Sequence, residues 1–268
     1  MNIVRLDALD LAIAAVLVLL LAAASMRMRL NIAAQLLIAG LRTVIQLLLV
    51  GMVLKVVFQY GDLAWVALIA LAMLLIAGRE VRARQGRPFA GSWGFALGTV
   101  SMFVSTFSIT IFMLAVVVST TPWYAPQYAV PLLGMMLGNT MSGVALAIDR
   151  LTQLAAQQRG VIEARLMLGE SWRTAIGDIR RESARAGMIP IINAMAVAGV
   201  VSLPGMMTGQ ILAGVPPLDA VYYQILIMFM IAAGTGFGTL AAIAIGSRRL
   251  FDRRERLRLD RLDRAQGA

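Results

Sequence analysis

The sequence contains no cysteine and no histidine among its 268 residues. Disulfides, thiolate zinc sites, cysteine nucleophiles and histidine-based catalysis are therefore excluded from the chain itself. Charge is also scarce, at 14% of residues against 60% hydrophobic. Apolar runs of about 18 residues or more recur, which a soluble domain does not carry. The phosphate-cradling pattern GxxxxGK[ST] is missing, so the chain is expected not to hydrolyse ATP and not to be an enzyme. No carboxylate lies deep in an apolar run, which counts against a transporter driven by an ion gradient.

What is present is a membrane pattern. Seven spans are expected, at about 9–26, 30–57, 63–78, 94–118, 129–148, 191–213 and 221–246. The fold class is all-α, a polytopic membrane protein with about seven transmembrane helices and a cytoplasmic polar segment. Residues 1–250 are expected to form the transmembrane domain, with the polar segment at 149–190, and 251–268 a charged tail. The net charge of +10 reads as positive-inside bias rather than as a nucleic-acid surface. Arg27, Arg29, Arg79, Arg82, Arg84, Arg87, the 149–190 interval and the tail from Arg248 fall on one side. Arg5, Lys55, Asp7, Asp10, Asp62 and Asp219 fall on the other. The N-terminus is thus expected outside and the C-terminus in the cytoplasm. The tail is read as a solvated helix or a disordered end.

Polar residues inside the spans mark a candidate path. Asn31, Gln35, Arg42 and Gln46 share one side of the second span. An arginine at membrane depth faces protein or water, so Arg42 either lines a cavity or bonds carbonyls and locks helices together. The sixth span is broken at Pro204-Gly205, followed by Met206, Met207 and Gln210. A broken helix at that depth is tolerated where protein or a watery cavity covers it. Asn139 and Asn193 complete the candidate set. The Met pairs 135/136 and 206/207 offer thioethers to a soft ion or simply pack, and no metal site is assigned. Gly234, Gly238 and Ala242 read as a close-packing seam, and Gly134, Gly138 and Ser142 as a second.

The interval 149–190 is polar yet keeps helical periodicity. Trp172, Ala175, Ile176, Ile179 and Ala186 recur at three- and four-residue steps, with arginines on the other sides. Gly169 interrupts the pattern, Ser171 is the expected N-cap of the next helix, and Gly187 with Pro190 is expected to end it. The result is a projecting basic hairpin of short helices, a solvated linker or a docking element.

Glu163-Ala164-Arg165-Leu166-Met167-Leu168-Gly169, followed by Ile179, resembles the EAA motif of ABC-transporter permeases, the coupling helix that seats in the ATPase. Arg165 stands where that motif has a second Ala, and its later Leu-Pro is missing at Arg181-Glu182. The resemblance implies ATPase-coupling roles for Glu163, Ala164, Gly169, Ser171, Trp172 and Ile179. Further runs, at 42–47, 137–143, 149–151, 185–190 and above all Ser202-Leu203-Pro204-Gly205-Met206-Met207-Thr208-Gly209-Gln210, resemble the FetB-type iron-export permeases and related plant permeases of aluminium tolerance. That resemblance covers about residues 8–250. It implies a homodimeric permease with a separate ATPase that binds ATP and Mg, exporting iron and supporting resistance to oxidative stress. No cofactor is expected on this chain, and no nucleic acid. The alternatives are an ion-gradient-coupled transporter and an ABC permease for an anionic non-metal substrate.

Overall fold

The structure is a computed structural model and describes residues 7–263. Arg5 and the tail from residue 264 lie outside the described residues. Contacts divide the chain into two units.

The first unit holds α1 (Ala8–Arg27) and α2 (Ala33–Tyr60), which pack on each other, together with residues 212–214. At the start of α1, Asp10 Oδ2 accepts the Asp7 backbone N–H at 2.8 Å, relieving one of the unbonded first-turn donors. Gly61 ends α2 at φ +64°, donating its N–H to Val57 O at 3.0 Å. The left-handed turn is inexpensive there because glycine has no Cβ. Asn31 stands ahead of α2 at φ +56°, so the polar stripe begins at Gln35. The expected membership of Asn31 in that helical stripe is corrected: asparagine tolerates the left-handed turn that precedes the helix.

The second unit is built from α3 (Leu63–Ala83), α4 (Trp93–Val118), α5 (Pro126–Gln157), α6 (Arg159–Met167), α7 (Trp172–Ala175), α8 (Gly177–Val197), α9 (Gly205–Leu212) and α10 (Pro217–Arg249). α4 contains two π-helical stretches, Phe103–Phe107 and Met113–Val118. Its hydroxyls serve its own backbone where their partners are defined: Ser105 Oγ donates to Ser101 O at 2.9 Å and Thr99 Oγ1 to Phe95 O at 2.8 Å.

α5 is the centre of this unit, packing against α3, α8 and α10. Small residues let the backbones meet. A β-carbon on Gly187 of α8 would lie 2.7 Å from Gly143 O of α5 and 2.8 Å from Thr239 Cγ2 of α10. One on Gly238 of α10 would lie 2.7 Å from Thr140 Cγ2 of α5. The Gly234–Gly238–Ala242 seam is thus a packing surface, as its spacing predicts. The expected second seam is closed only at Gly134, whose β position lies 3.1 Å from Met73 Cε of α3. Gly138 has no neighbour within 4 Å of its β position, and the buried stripe of α5 runs instead through Met136, Thr140, Gly143 and Ala147. Both stripes have helical spacing, and only the contact with α8 and α10 selects between them.

Among the described residues, six helices are long and apolar enough to cross a membrane. The remaining expected span, 191–213, is built from the end of α8, an irregular stretch at 198–204 and the short α9. Val197 O accepts from the N–H groups of Val201 and Ser202 in a tight turn, and Gly199 takes φ +81°. The break predicted at Pro204-Gly205 is therefore present and begins earlier.

Two boundaries are corrected. α5 does not stop near 148 but runs to Gln157, because Leu151, Leu154 and Ala155 keep its apolar stripe buried through polar sequence. Gly187 and Pro190 do not end a helix; both lie inside α8. Gly187 is there for the crossing with α5, and Pro190 removes one backbone donor that a packed helix tolerates.

Candidate functional site

The basic hairpin is locally determined. α6 ends in a Schellman turn: Gly169 sits at φ +89°, its N–H donates to Leu166 O at 3.0 Å, and Glu170 N–H donates to Arg165 O at 3.2 Å. Ser171, in extended conformation, is the N-cap residue of α7, with its Oγ 3.1 Å from Thr174 Oγ1. The arginine that departs from the motif has a structural task. Arg165 reaches across the hairpin to Asp178 Oδ2 at 3.2 Å and Ala175 O at 3.4 Å. Arg181 and then Arg165, hydrogen-bonded to the Asp178 carboxylate, hold it below the usual aspartate range. Glu163 pairs with Arg159 one turn earlier at 2.8 Å, and Ala164 is exposed. Ile179 is 3% exposed and belongs to the core with Ala175 and Ile176; it supports the hairpin rather than meeting a partner. The tip carries Met167 and Leu168, 82% and 84% exposed, an apolar pair with nothing covering it.

The tail is not a solvated or disordered end over its described part. After α10 the chain folds back across the same face, and this strap (residues 250–263) is held at several points. Phe251 is 5% exposed and stacks on Trp172, ring centroids 5.5 Å apart. Glu255 Oε2 accepts the Trp172 backbone N–H at 3.0 Å, placing a carboxylate on an unbonded donor at the start of α7. Arg261 Nη1 donates to Arg249 O at 2.8 Å and Phe251 O at 3.1 Å. Asp263 N–H donates to Pro88 O at 2.9 Å, and Leu257, Leu259 and Leu262 pack on the core. The expectation fails because alternating arginine and acid masks three leucines that pack on the core, Leu262 pairing with the buried Phe89 and Leu257 with Phe251. Between hairpin and strap lies a groove of about 530 Å³, bordered by Glu163, Met167 and Glu170 on one side and Arg254–Leu257 on the other.

The broken helix borders a second cavity of about 580 Å³, lined by Met195, Ala198, Gly199, Leu203, Pro204, Met207 and one face of α10. Of the predicted path residues, Pro204 and Met207 meet here; Gly205, Met206 and Gln210 stay outside the lining. Asn193 is exposed, and Asn139 Nδ2 donates to Met135 O in its own helix at 2.8 Å. Gln35, Arg42 and Gln46 are exposed on α2, in the other unit, and Arg42 is engaged rather than free. Residues the sequence reading missed are Gln224 and Met228 of α10, whose helical spacing was hidden in an apolar run. Among the described residues, no group of three His, Cys, Asp or Glu side chains is placed to hold a metal ion.

Spanning helices, a broken helix beside a cavity and a folded polar hairpin define a polytopic all-helical membrane protein. The chain belongs to the uncharacterised protein family UPF0014, which matches residues 8–251. It is 41% identical over 233 residues to the UPF0014 membrane protein slr1647 of Synechocystis, covering 85% of this chain and 87% of the relative. It is 31% identical over 217 residues to the Probable iron export permease protein FetB of Escherichia coli, covering 81% of each. Protein ALUMINUM SENSITIVE 3 of Arabidopsis thaliana is 30% identical over 225 residues, covering 84% of this chain and 80% of that one. No solved structure matches the chain.

Proposed function

We propose that this chain is the membrane-spanning permease subunit of an ATP-driven ABC exporter that moves iron or a related metal species. The carrying observation is the hairpin itself: an apolar tip, Met167-Leu168, held out of the basic side by the Gly169 turn and the Arg165–Asp178 contact. A rigid apolar knob exposed to water is a docking element, and its sequence resembles the ABC coupling motif. The partner is a separate ATPase that carries ATP and Mg, with this chain an enzyme of no kind and holding no cofactor of its own. Iron as cargo is carried over from the relative named as an iron export permease. The arginine distribution supports an outside N-terminus and a cytoplasmic hairpin in the bacterial inner membrane. The open small-residue face at Gly138 is compatible with a homodimer, since such faces let helices approach closely.

The test is reconstitution with the ATPase co-purified from the native host. Gly169→Pro and Glu163→Lys should abolish ATP-driven metal export while leaving the helical content and detergent elution unchanged. Full transport and unchanged ATPase association in both variants would overturn the assignment.

A further inference from the structure

The cavity beside the broken helix has a donor chemistry of its own. Met195 of α8, Met207 of α9 and Met228 of α10 border it, so all three helices bring a methionine to its wall. Gln224 lies one turn before Met228 on the same face of α10 and borders it as well. That side chain is 8% exposed, yet its Oε1 is buried with no hydrogen-bond partner among the described residues. A buried carbonyl oxygen left unmet is costly, and native structures complete such groups with a ligand, an ion or water. The methionines are not simply filling space. Met195 is 37% exposed and all three border a void of about 580 Å³.

We infer that this cavity binds a soft monovalent metal cation of the Cu(I) or Ag(I) class, held by the thioethers of Met195, Met207 and Met228, with Gln224 Oε1 turning in as a supporting donor when the ion binds. Thioether sulfur is a soft, polarisable ligand and selects soft ions. All four donors are neutral. Desolvation cost rises with the square of the charge, so a divalent ion meets about four times the penalty of a monovalent one against these apolar walls. A hard divalent ion is held mainly by oxygen donors with carboxylates among them, and the cavity lining has no carboxylate. The unbranched methionine side chain is flexible enough for three sulfurs from separate helices to converge on one ion.

The proposal is independent of the permease reading: binding needs neither partner, nucleotide nor the passage of iron through this cavity. The test is therefore calorimetric titration of the purified full-length chain in detergent with Ag(I). The absence of cysteine and histidine removes the usual competing ligands. One saturable strong site per chain is expected. Met207→Leu and Met228→Leu, near-isosteric changes that preserve packing, should each weaken it at least ~10-fold, a loss of about 1.4 kcal/mol. Met195→Leu/Met207→Leu/Met228→Leu should abolish it, and with it the sulfur shell in Cu(I) X-ray absorption. Met230→Leu, in the core of the same helix and outside the lining, should leave it unchanged. Wild-type Ag(I) affinity in the triple variant, or displacement of Ag(I) by equimolar Fe(II), would overturn the proposal. A chain that recruits an ATPase but binds no Ag(I) sinks this inference alone; one that binds Ag(I) but recruits no ATPase sinks the exporter reading alone.

Discussion

Removing the Phe251 ring should release the strap without unfolding the membrane helices. Phe251 is 5% exposed and stacks on Trp172, so Phe251→Ala deletes a buried ring whose removal costs about 3 kcal/mol at the low end of such substitutions. The strap's other attachments, the leucines on the core and the hydrogen bonds of Glu255 and Arg261, stay in place and keep the strap closed most of the time. The loss falls on local opening, because the deleted stack joins the strap to the hairpin and lies outside the spanning helices. At 1.36 kcal/mol per tenfold, the open fraction should rise by roughly two orders of magnitude.

The assay uses bonds already present. Arg258 and Arg261 are partly buried, and Arg261 Nη1 is held by two carbonyl oxygens, so trypsin reaches them only when the strap lifts. Cleavage there tracks the open population when opening and closing are fast. Cutting after Arg261, followed by mass spectrometry, should accelerate roughly a hundredfold in Phe251→Ala relative to the parent. Cutting after the exposed Arg253 and Arg254 should barely change and serves as the internal reference. Equal rates at Arg261 in both proteins would show that the Trp172–Phe251 stack does not hold the strap.

Gly187→Val should lower the stability of the detergent-solubilised protein by ~1–3 kcal/mol, because its side chain meets Gly143 O and Thr239 at under 3 Å. Gly138→Ala should leave thermal unfolding unchanged or slightly raised; equal losses from both would refute the crossing. Acid should loosen the strap: the Arg258 guanidinium, hydrogen-bonded to Asp260, brings that pKa down to about 2 from 3.8. A depressed carboxylate stabilises above its unfolded pKa, so the contribution is complete above about pH 4 and fades as pH falls towards 2. Fluorescence of Trp172, with Trp65, Trp93 and Trp123 replaced by Phe, should report that loss, and Asp260→Asn should remove its Asp260 component. Single cysteines at Asp62 or Asp219 should react with an impermeant thiol reagent from outside, and those at Arg84 or Arg173 only after permeabilisation. The reverse pattern would invert the topology.

Hydrophobic runs made the spanning helices legible, because a helix that meets lipid must be apolar over its whole length. The Gly169 turn and the Ser171 cap were equally legible, since their geometry is decided within four or five residues. The failures share a different cause. Gly187 and Pro190 look like punctuation until α5 and α10 are brought alongside; then the glycine is needed where Gly143 O comes within 2.7 Å of its β position. Residues 149–157 look like a connector until Leu151 and Ala155, both fully buried, show the stripe continuing. In the strap, Leu257, Leu259 and Leu262 share no single helical or strand period, and it takes Phe251 beside Leu257 and Phe89, far away in sequence, beside Leu262 to reveal why they are there. At the cavity, Pro204 and Met207 were readable from the broken helix. Gln224 was not, because one amide in an apolar span carries no sign until its missing partner is seen.

One helix joins the two candidate sites. α8 begins at Gly177, where Asp178 is gripped by Arg165 of the hairpin, and ends at Val197, two residues past the cavity-lining Met195. Its 21 residues span about 31 Å at 1.5 Å per residue, enough to cross from the basic side to the break. Midway, Gly187 crosses α5 and α10 so closely that no side chain fits between them. A contact that tight allows rotation about the crossing far more readily than separation, because the backbones have no gap to close. On the proposed reading, a push on Met167-Leu168 enters α8 through the Arg165–Asp178 contact, turns about Gly187 and arrives at Met195. The irregular backbone at 198–204 then yields in place of the helix, since its few hydrogen bonds close one turn around Val197 O. The break is thus where it must be for a rigid rod to open a cavity: immediately beyond the end that moves, and opposite a face of α10 that does not share its backbone.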